Sequence, residues 1–120
     1  MKEAGAESYD ANYQDALKLS KMLRALRTLP VPVIASVQGP AIGLGVGVVA
    51  ACDIAVAADT ASFRLTEVRL GIVPANISSF VLPRIGRSNA RRYFLTGERF
   101  DAKVAREIGL ISEAVPANTL

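Results

Sequence analysis

The sequence predicts an α/β domain, because short apolar runs typical of strands alternate with longer segments that have helical periodicity or end in glycine. Hydrophobic residues make up 51% of the 120 residues and charged residues 21%, a composition that is too apolar for a disordered chain. The sequence has no internal repeat, low-complexity segment or linker. We therefore treat residues 1–120 as one piece of a single domain.

An amphipathic helix of about twenty residues is predicted to begin near Ser8. Its apolar stripe consists of Leu17, Met22, Leu26 and Leu29. The Leu-Pro-Val-Pro segment at residues 29–32 is expected to end it, because proline cannot continue a helix. Residues 33–37 have the sequence Val-Ile-Ala-Ser-Val, and their lack of polar alternation predicts a strand that is buried on both faces.

A second helix is predicted to open at residues 43–47, Gly-Leu-Gly-Val-Gly, after a turn at Gly39 and Pro40. Small apolar residues continue to Cys52 and indicate a tightly packed helix. The stretch from Thr28 to Cys52 carries no charge, but prolines interrupt it, and the apolar run after Pro40 has twelve residues. A bilayer span needs about 20 residues, so no transmembrane helix is predicted.

The next elements are short and separated by turns. Residues 53–58 predict a strand, and residues 60–62 predict a turn into an extended segment at residues 63–65. Residues 66–71 then lead to a loop at Pro74.

The last third is predicted to be helical, with a glycine after each helix at the position of a left-handed cap. The three helices are residues 79–85 before Gly86, residues 88–96 before Gly97, and residues 101–108 before Gly109. Asp101 is expected to be the N-cap of the last helix. Residues 110–115 predict a final short strand.

Composition excludes several kinds of active site. The chain has no histidine, which removes the usual general base of serine and cysteine hydrolases and the commonest metal ligand. With Cys52 as the single cysteine, neither an intrachain disulfide nor a cysteine metal cluster is expected. The N-terminus lacks the pattern of a signal peptide, so we expect a cytoplasmic protein. The net charge of +3 suits an anionic ligand, but it is too small and dispersed to favour nucleic-acid binding.

The glycine pattern at residues 43–47 is the first candidate for a functional site, because glycines at a helix start let a ligand approach backbone N–H groups. The third glycine comes one residue too early for a dinucleotide-binding motif. Val48 and Val49 stand where a P-loop has lysine and serine or threonine. Two interpretations remain: an oxyanion site made of backbone N–H groups, or close packing of a small-residue helix.

Glu67 is the second candidate, because its apolar neighbours Leu65, Val68 and Leu70 imply partial burial. Burial disfavours the charged form of a carboxyl group, which suits an acid or base that works near neutral pH. The alternative is a glutamate that is solvated or paired with Arg64 or Arg69.

Other polar residues have mainly structural interpretations. Four arginines after the proline loop could contact phosphate, although a solvated helix face is the favoured interpretation: Arg84, Arg87, Arg91 and Arg92. Asp53 is expected to bond to backbone, and Cys52 and Tyr93 are expected to pack in the core.

Taken together and in order, several segments resemble the central part of the crotonase (enoyl-CoA hydratase/isomerase) family. The segments are residues 32–39 (Pro-Val-Ile-Ala-Ser-Val-Gln-Gly), 41–45 (Ala-Ile-Gly-Leu-Gly), 51–57 (Ala-Cys-Asp-Ile-Ala-Val-Ala), 63–74, and 95–97 (Leu-Thr-Gly). The resemblance covers nearly all of the chain from about Leu17 onward. It implies a right-handed spiral of ββα units and a homo-oligomer, a trimer or a hexamer.

In that family two backbone N–H groups bind the thioester oxygen of an acyl-CoA and stabilise the enolate that forms. Position by position, the resemblance assigns one of these N–H groups to Leu44, where the family usually has glycine. It assigns the acid/base glutamate to Glu67. The family's second glutamate corresponds to Gly47, so one carboxylate is missing.

The resemblance is strongest to the methylglutaconyl-CoA and carboxygeranoyl-CoA hydratase-like subgroup, which shares this glycine and the Pro-Ala-Asn-Ile-Ser loop at residues 74–78. It implies addition of water to a branched or carboxylated 2-enoyl-CoA, with Gly43, Gly47 and Pro74 contacting the substrate. No cofactor or metal is implied, because the coenzyme A thioester is itself the substrate. An enoyl-CoA isomerase and a non-catalytic, oligomerising crotonase core are the alternatives.

Members of the family are about twice as long as this chain, so the resemblance implies the central part of one crotonase-like domain, truncated at both ends. A segment with the second oxyanion donor and much of the adenine pocket is expected before residue 1, with Met1 and Lys2 just past it. Removing one oxyanion donor has cost about 10²–10³ in rate where it was measured. The 120 residues alone are therefore expected to be poorly active or inactive.

Overall fold

The computed structural model describes residues 8–120, which contain four α-helices and six strands. The helices are α1 (Tyr9–Arg27), α2 (Leu44–Ala51), α3 (Ala75–Thr96) and α4 (Ala102–Ile108). The strands are β1 (Ile34–Val37), β2 (Pro40–Ile42), β3 (Ile54–Ala58), β4 (Ser62–Arg64), β5 (Phe100–Asp101) and β6 (Glu113–Val115). Two 3-10 turns lie at Glu67–Leu70 and Ala117–Thr119. The prediction for Met1 and Lys2 lies outside the described residues.

The strands form two sheets between which the chain alternates. β1, β3 and β6 form a parallel sheet in that order, with Ile34 opposite Ile54 and Val56 opposite Glu113. The second sheet has the order β2-β4-β5; β2 and β4 are parallel, and β4 and β5 are antiparallel. The order β1-β2-α2 followed by β3-β4-α3 gives two successive ββα units, which confirms the predicted α/β class and its repeating unit.

Helix α1 begins where the sequence predicts. Ser8 is its N-cap and accepts a hydrogen bond from the backbone N–H of Ala11 at 3.2 Å, which satisfies one of the amides that lack an intrahelical acceptor. The apolar stripe is displaced from the predicted one: Leu23 is the fully buried residue, whereas Met22 and Leu29 are exposed.

The prediction that the first strand is buried on both faces is wrong. Within the described residues β1 is an edge strand, and Ile34 and Ser36 on one face are exposed while Ala35 and Val37 on the other are half-buried. The position of a strand in its sheet decides its burial, and the apolar composition of β1 does not reveal that position.

The predicted helices at residues 79–85 and 88–96 form one element, α3, which also begins earlier than expected. Gly86 has φ 80° and ψ 165° and breaks the helical conformation within α3, so the predicted division is present as a kink. Gly97 and Gly109 cap α3 and α4 with positive φ, and the Asp101 carboxylate accepts from the N–H of Val104 at 2.9 Å.

The core lies between the helices and the two sheets. Its largest fully buried side chains are Phe63, Leu23, Leu65, Leu110, Val46 and Val81. Phe100 joins β5 to this core, since its ring centroid lies 5.7 Å from that of Phe63 and 4.3 Å from that of Tyr93. In the part of the chain that the structure describes, no helix is both long and apolar enough to cross a bilayer.

Candidate active site

The site begins at Gly43, between β2 and α2. Gly43 has φ 57° and ψ −115°, a conformation that residues with a side chain rarely adopt. Its N–H donates to the carbonyl oxygen of Arg64 at 2.8 Å, and its carbonyl oxygen accepts from the N–H of Val46 at 3.0 Å. These bonds hold the start of α2 against β4.

Leu44 is the first residue of α2, so its N–H has no acceptor one turn earlier in the helix. Residues 8–120 provide no other acceptor for this group. The N–H therefore remains available at the end of the helix where the backbone dipole favours negative charge. This is the geometry of a donor that can bind an oxygen atom carrying developing negative charge.

Glu67 opens the 3-10 turn that follows β4 and is 6% exposed. Its Oε2 is buried and has no hydrogen-bond partner within the described residues. Its Oε1 faces Gly43: a Cβ atom built on Gly43 would lie 3.1 Å from it. The absence of a side chain at residue 43 thus brings the carboxylate next to the start of α2.

Within the described residues, neither Arg64 nor Arg69 pairs with Glu67, so the predicted alternative of an arginine-paired glutamate is wrong. The Nε of Arg64 donates to the carbonyl oxygen of Gly97 at 2.8 Å, and Arg69 is exposed. Among residues 8–120 Glu67 takes part in no salt bridge. A buried polar atom without a partner is costly, and such groups in folded proteins often have a functional explanation.

Leu44 and Glu67 line one cavity of about 520 Å³. Its walls are α1, the start of α2, the 3-10 turn and the start of α3: residues 12, 15, 16, 19, 42–44, 66, 67 and 72–77. The predicted site residues Gly43 and Pro74 also line this cavity. The sequence does not reveal the contribution of α1, because no local signal in that helix shows which other element it faces.

The predicted substrate-binding residue Gly47 is buried and does not line the cavity. Ile77 lies over it: a Cβ atom on Gly47 would lie 2.3 Å from Cγ2 and 2.7 Å from Cβ of Ile77. The position that corresponds to the family's second glutamate is therefore covered by an apolar side chain from α3. Ile77 itself lines the cavity, a position that no local signal in the sequence predicts.

The lining is mostly apolar, and its charged residues within the described part of the chain are Asp15 and Glu67. Among residues 8–120, no lysine or arginine lines the cavity. Residues 8–120 also hold no cluster of three or more cysteine, aspartate or glutamate side chains that could bind a metal ion. The groups that the described residues place in this cavity for chemistry are thus the backbone N–H of Leu44, the buried carboxylate of Glu67 and the exposed carboxylate of Asp15.

The arginines after the proline loop have structural roles or lie in solvent. Arg84 donates to the carbonyl oxygens of Ala50 at 3.2 Å, Asp53 at 3.2 Å, and Cys52. Arg92 pairs with Glu98. The other two are exposed, and none of the four lines the cavity.

Asp53 and Cys52 behave as predicted. The Asp53 carboxylate accepts from the N–H of Val33 at 2.8 Å and so joins the start of β3 to the chain before β1. Cys52 is buried. Burial raises the pKa of the Cys52 thiol, the negative charge of Asp53 raises it further, and Arg84 lowers it.

Comparisons with known proteins bear on this site. The enoyl-CoA hydratase/isomerase family model matches residues 1–120. An enoyl-CoA hydratase of Alternaria alternata, AKT6-1, is 36% identical over 109 residues, which are 91% of this chain and 37% of that protein. The mitochondrial methylglutaconyl-CoA hydratase of Homo sapiens is 38% identical over 102 residues, 84% of this chain and 30% of that protein.

A crystal structure of an enoyl-CoA hydratase from Shewanella pealeana superimposes on the chain with a TM-score of 0.93 and 41% identity. The match covers 96% of this chain and 43% of that one. The chain therefore spans less than half the length of these relatives and has the fold of the corresponding part of their domain. Because the family model matches this chain over residues 1–120, the chain belongs to the enoyl-CoA hydratase/isomerase family.

Proposed function

We propose that the cavity binds the acyl group of a 2-enoyl-CoA and that the protein adds water across its double bond. The observation that supports this proposal is the convergence of two groups on one cavity: the N–H of Leu44, which has no acceptor among residues 8–120, and the buried carboxylate of Glu67, whose Oε2 has no partner among them. A hydratase needs both, one for the charge that develops on oxygen and one for the proton of water.

The N–H of Leu44 is assigned to the thioester carbonyl. When the oxygen of water bonds to C3 of the substrate, the electron pair of the double bond moves toward C2 and the carbonyl oxygen, which becomes the oxygen of an enolate. A fixed N–H at a helix start stabilises this charge without reorganising during the reaction. The side chain of Leu44 is not needed for this role.

Glu67 is assigned to the proton transfers. Its carboxylate accepts a proton from the attacking water as the bond to C3 forms, and it then donates a proton to C2, which restores the thioester carbonyl. Water and enoyl thioester together give the 3-hydroxyacyl thioester, so the atoms balance and Glu67 ends in its initial state. One carboxylate performs both transfers, which is consistent with the apolar Ile77 over Gly47.

The lining of the cavity favours an uncharged acyl group, branched or straight, over a carboxylated one. A second carboxylate on the substrate would enter a cavity that, within the described residues, offers Asp15 and Glu67 but no basic side chain. Burying such a charge without a partner is unfavourable. Of the branched and carboxylated substrates that the sequence suggests, we therefore propose the branched, uncharged class.

The test is turnover of 2-enoyl-CoA by the full-length protein and by Glu67→Gln. Loss of the carboxylate is expected to lower the rate of hydration by about 10²–10⁴, the usual contribution of general acid–base catalysis. Glu113→Gln is the matched control, because Glu113 lies on β6 outside the cavity and pairs at 3.8 Å with Arg106. Wild-type turnover by Glu67→Gln would remove Glu67 from the mechanism.

An enoyl-CoA isomerase is the second candidate. Among the described residues that line the cavity Glu67 is the one buried carboxylate, and this favours an isomerase, because a shift of the double bond needs one base that removes and returns a proton. The two reactions are distinguished by incubation with a 3-enoyl-CoA in deuterated water. A hydratase leaves this substrate unchanged, whereas an isomerase forms the 2-enoyl-CoA.

A further inference from the structure

We propose that Ile77 closes the acyl end of the cavity and thereby limits the length of the acyl chain. This inference rests on the proposed function, since it assumes that the cavity holds the acyl group. It adds a specificity-determining residue that lies outside the glycine pattern and outside the 3-10 turn with Glu67.

Ile77 lies between the cavity and Gly47 of α2. It lines the cavity, is 3% exposed, and its Cγ2 and Cβ lie 2.3 Å and 2.7 Å from the position of a Cβ on Gly47. Gly47 is buried and does not line the cavity. The Ile77 side chain is thus the wall that separates the cavity from Gly47, whereas Leu44 at the start of α2 lines the cavity directly.

This wall is apolar and stiff. Isoleucine in a helix has one strongly preferred χ1 rotamer, so Ile77 in the first turn of α3 cannot easily turn away from an acyl chain. Gly47 contributes no side chain behind it. Ile77→Ala removes the side-chain atoms beyond Cβ, Cγ2 among them, and the cavity extends into the volume that these atoms leave beside Gly47. With Ile77 in place, this apolar wall favours short acyl groups with an apolar end.

The test compares kcat/KM of the full-length protein for crotonyl-CoA, 2-hexenoyl-CoA and 2-octenoyl-CoA in wild type and Ile77→Ala. Discrimination of one methylene in an apolar pocket is worth about 10-fold or more. We expect Ile77→Ala to raise the ratio of octenoyl to crotonyl turnover by at least about 10-fold. Ile77→Val is expected to shift the ratio in the same direction by less, and it serves if the alanine variant fails to fold.

Ile85→Ala is the matched control. Ile85 lies on the same helix, is also buried, and does not line the cavity, so its truncation should lower stability without changing the ratio. An unchanged ratio in Ile77→Ala and Ile77→Val would overturn the proposal, as would an equal shift in Ile85→Ala.

Binding of S-butyl-, S-hexyl- and S-octyl-CoA thioethers separates this inference from the proposed function, because these probes require no turnover. A larger gain in affinity for the octyl probe in Ile77→Ala than in Ile85→Ala supports the role of Ile77 even if no 2-enoyl-CoA is hydrated, and in that case only the proposed reaction fails. Equal affinities across the variants would refute the role of Ile77.

Discussion

The contact between Gly47 and Ile77 makes a strong prediction about stability. Replacing Gly47 with alanine places a Cβ 2.3 Å from Cγ2 of Ile77, more than 1 Å closer than the ordinary contact of 3.4–4 Å. Overpacking of this kind costs about 1–3 kcal/mol, and the stiff, buried Ile77 places the cost toward the upper end. Alanine gains about 0.5–1 kcal/mol over glycine within a helix. The net result is a destabilisation of about 1–2 kcal/mol.

Gly45→Ala is the matched control in the same helix. A Cβ on Gly45 would meet Cβ of Ala41 at 3.7 Å, an ordinary contact, so this substitution gains helix propensity without a clash. It is expected to be neutral or to stabilise by up to about 1 kcal/mol. The assay is urea unfolding followed by far-UV circular dichroism. The change in the free energy of unfolding is calculated from the shift of the unfolding midpoint, provided that the dependence of this free energy on urea concentration is unchanged.

A double-mutant cycle identifies the cause. Ile77→Ala alone is expected to cost about 2–5 kcal/mol, because it leaves a cavity. In that background Gly47→Ala should cost less than in wild type, with a coupling energy of about 0.5–3 kcal/mol. If Gly47→Ala is as stable as Gly45→Ala, or if the two substitutions are additive, the packing argument is wrong.

Three further predictions follow from individual contacts. Gly43→Ala is expected to destabilise the fold by about 1–3 kcal/mol, because Gly43 has a positive φ, and urea unfolding measures this loss. The new Cβ should also displace the Glu67 carboxylate and lower the turnover measured by steady-state kinetics. Asp101→Ala removes the N-cap of α4 and should cost about 1 kcal/mol in the same unfolding assay, whereas Asp101→Asn should cost less. Burial and the charge of Asp53 raise the pKa of the Cys52 thiol, so Cys52 should react with a disulfide reagent at pH 8 more slowly than free cysteine does. In urea its reaction rate should reach that of free cysteine. A fast reaction in the native protein would contradict the buried position of Cys52.

The elements that the sequence predicts correctly are those whose signals are local. Ser8 and Asp101 mark helix starts because their side chains bond to amides three residues later, and Gly97 and Gly109 mark helix ends because they adopt positive φ. These signals involve neighbours in sequence, so they are visible without the fold.

The elements that the sequence does not predict depend on distant partners. β5 has two residues, and Phe100 is extended because it pairs with Phe63 on β4. β2 has three residues and is defined by its pairing with β4. The burial of β1 depends in the same way on its place at a sheet edge.

The same distinction applies to the site. The apolar neighbours of Glu67 mark it as a candidate and the family resemblance assigns Leu44, and the structure brings both residues to one cavity. Ile77 lies thirty residues from Gly47 in the sequence and meets it only because α2 packs against α3. No pattern of composition or spacing indicates that contact.

The central claim is that the N–H of Leu44 stabilises the developing enolate, and Leu44→Pro tests it most directly. Proline is well accepted at the first position of a helix, where the N–H has no intrahelical acceptor, so the substitution removes the donor while α2 is retained. Leu44→Ala is the control, because it shortens the side chain and keeps the N–H. We predict that hydration of 2-enoyl-CoA by Leu44→Pro is slower than by Leu44→Ala by about 10²–10³, with equal binding of S-butyl-CoA thioether. Equal turnover by the two variants would contradict the account.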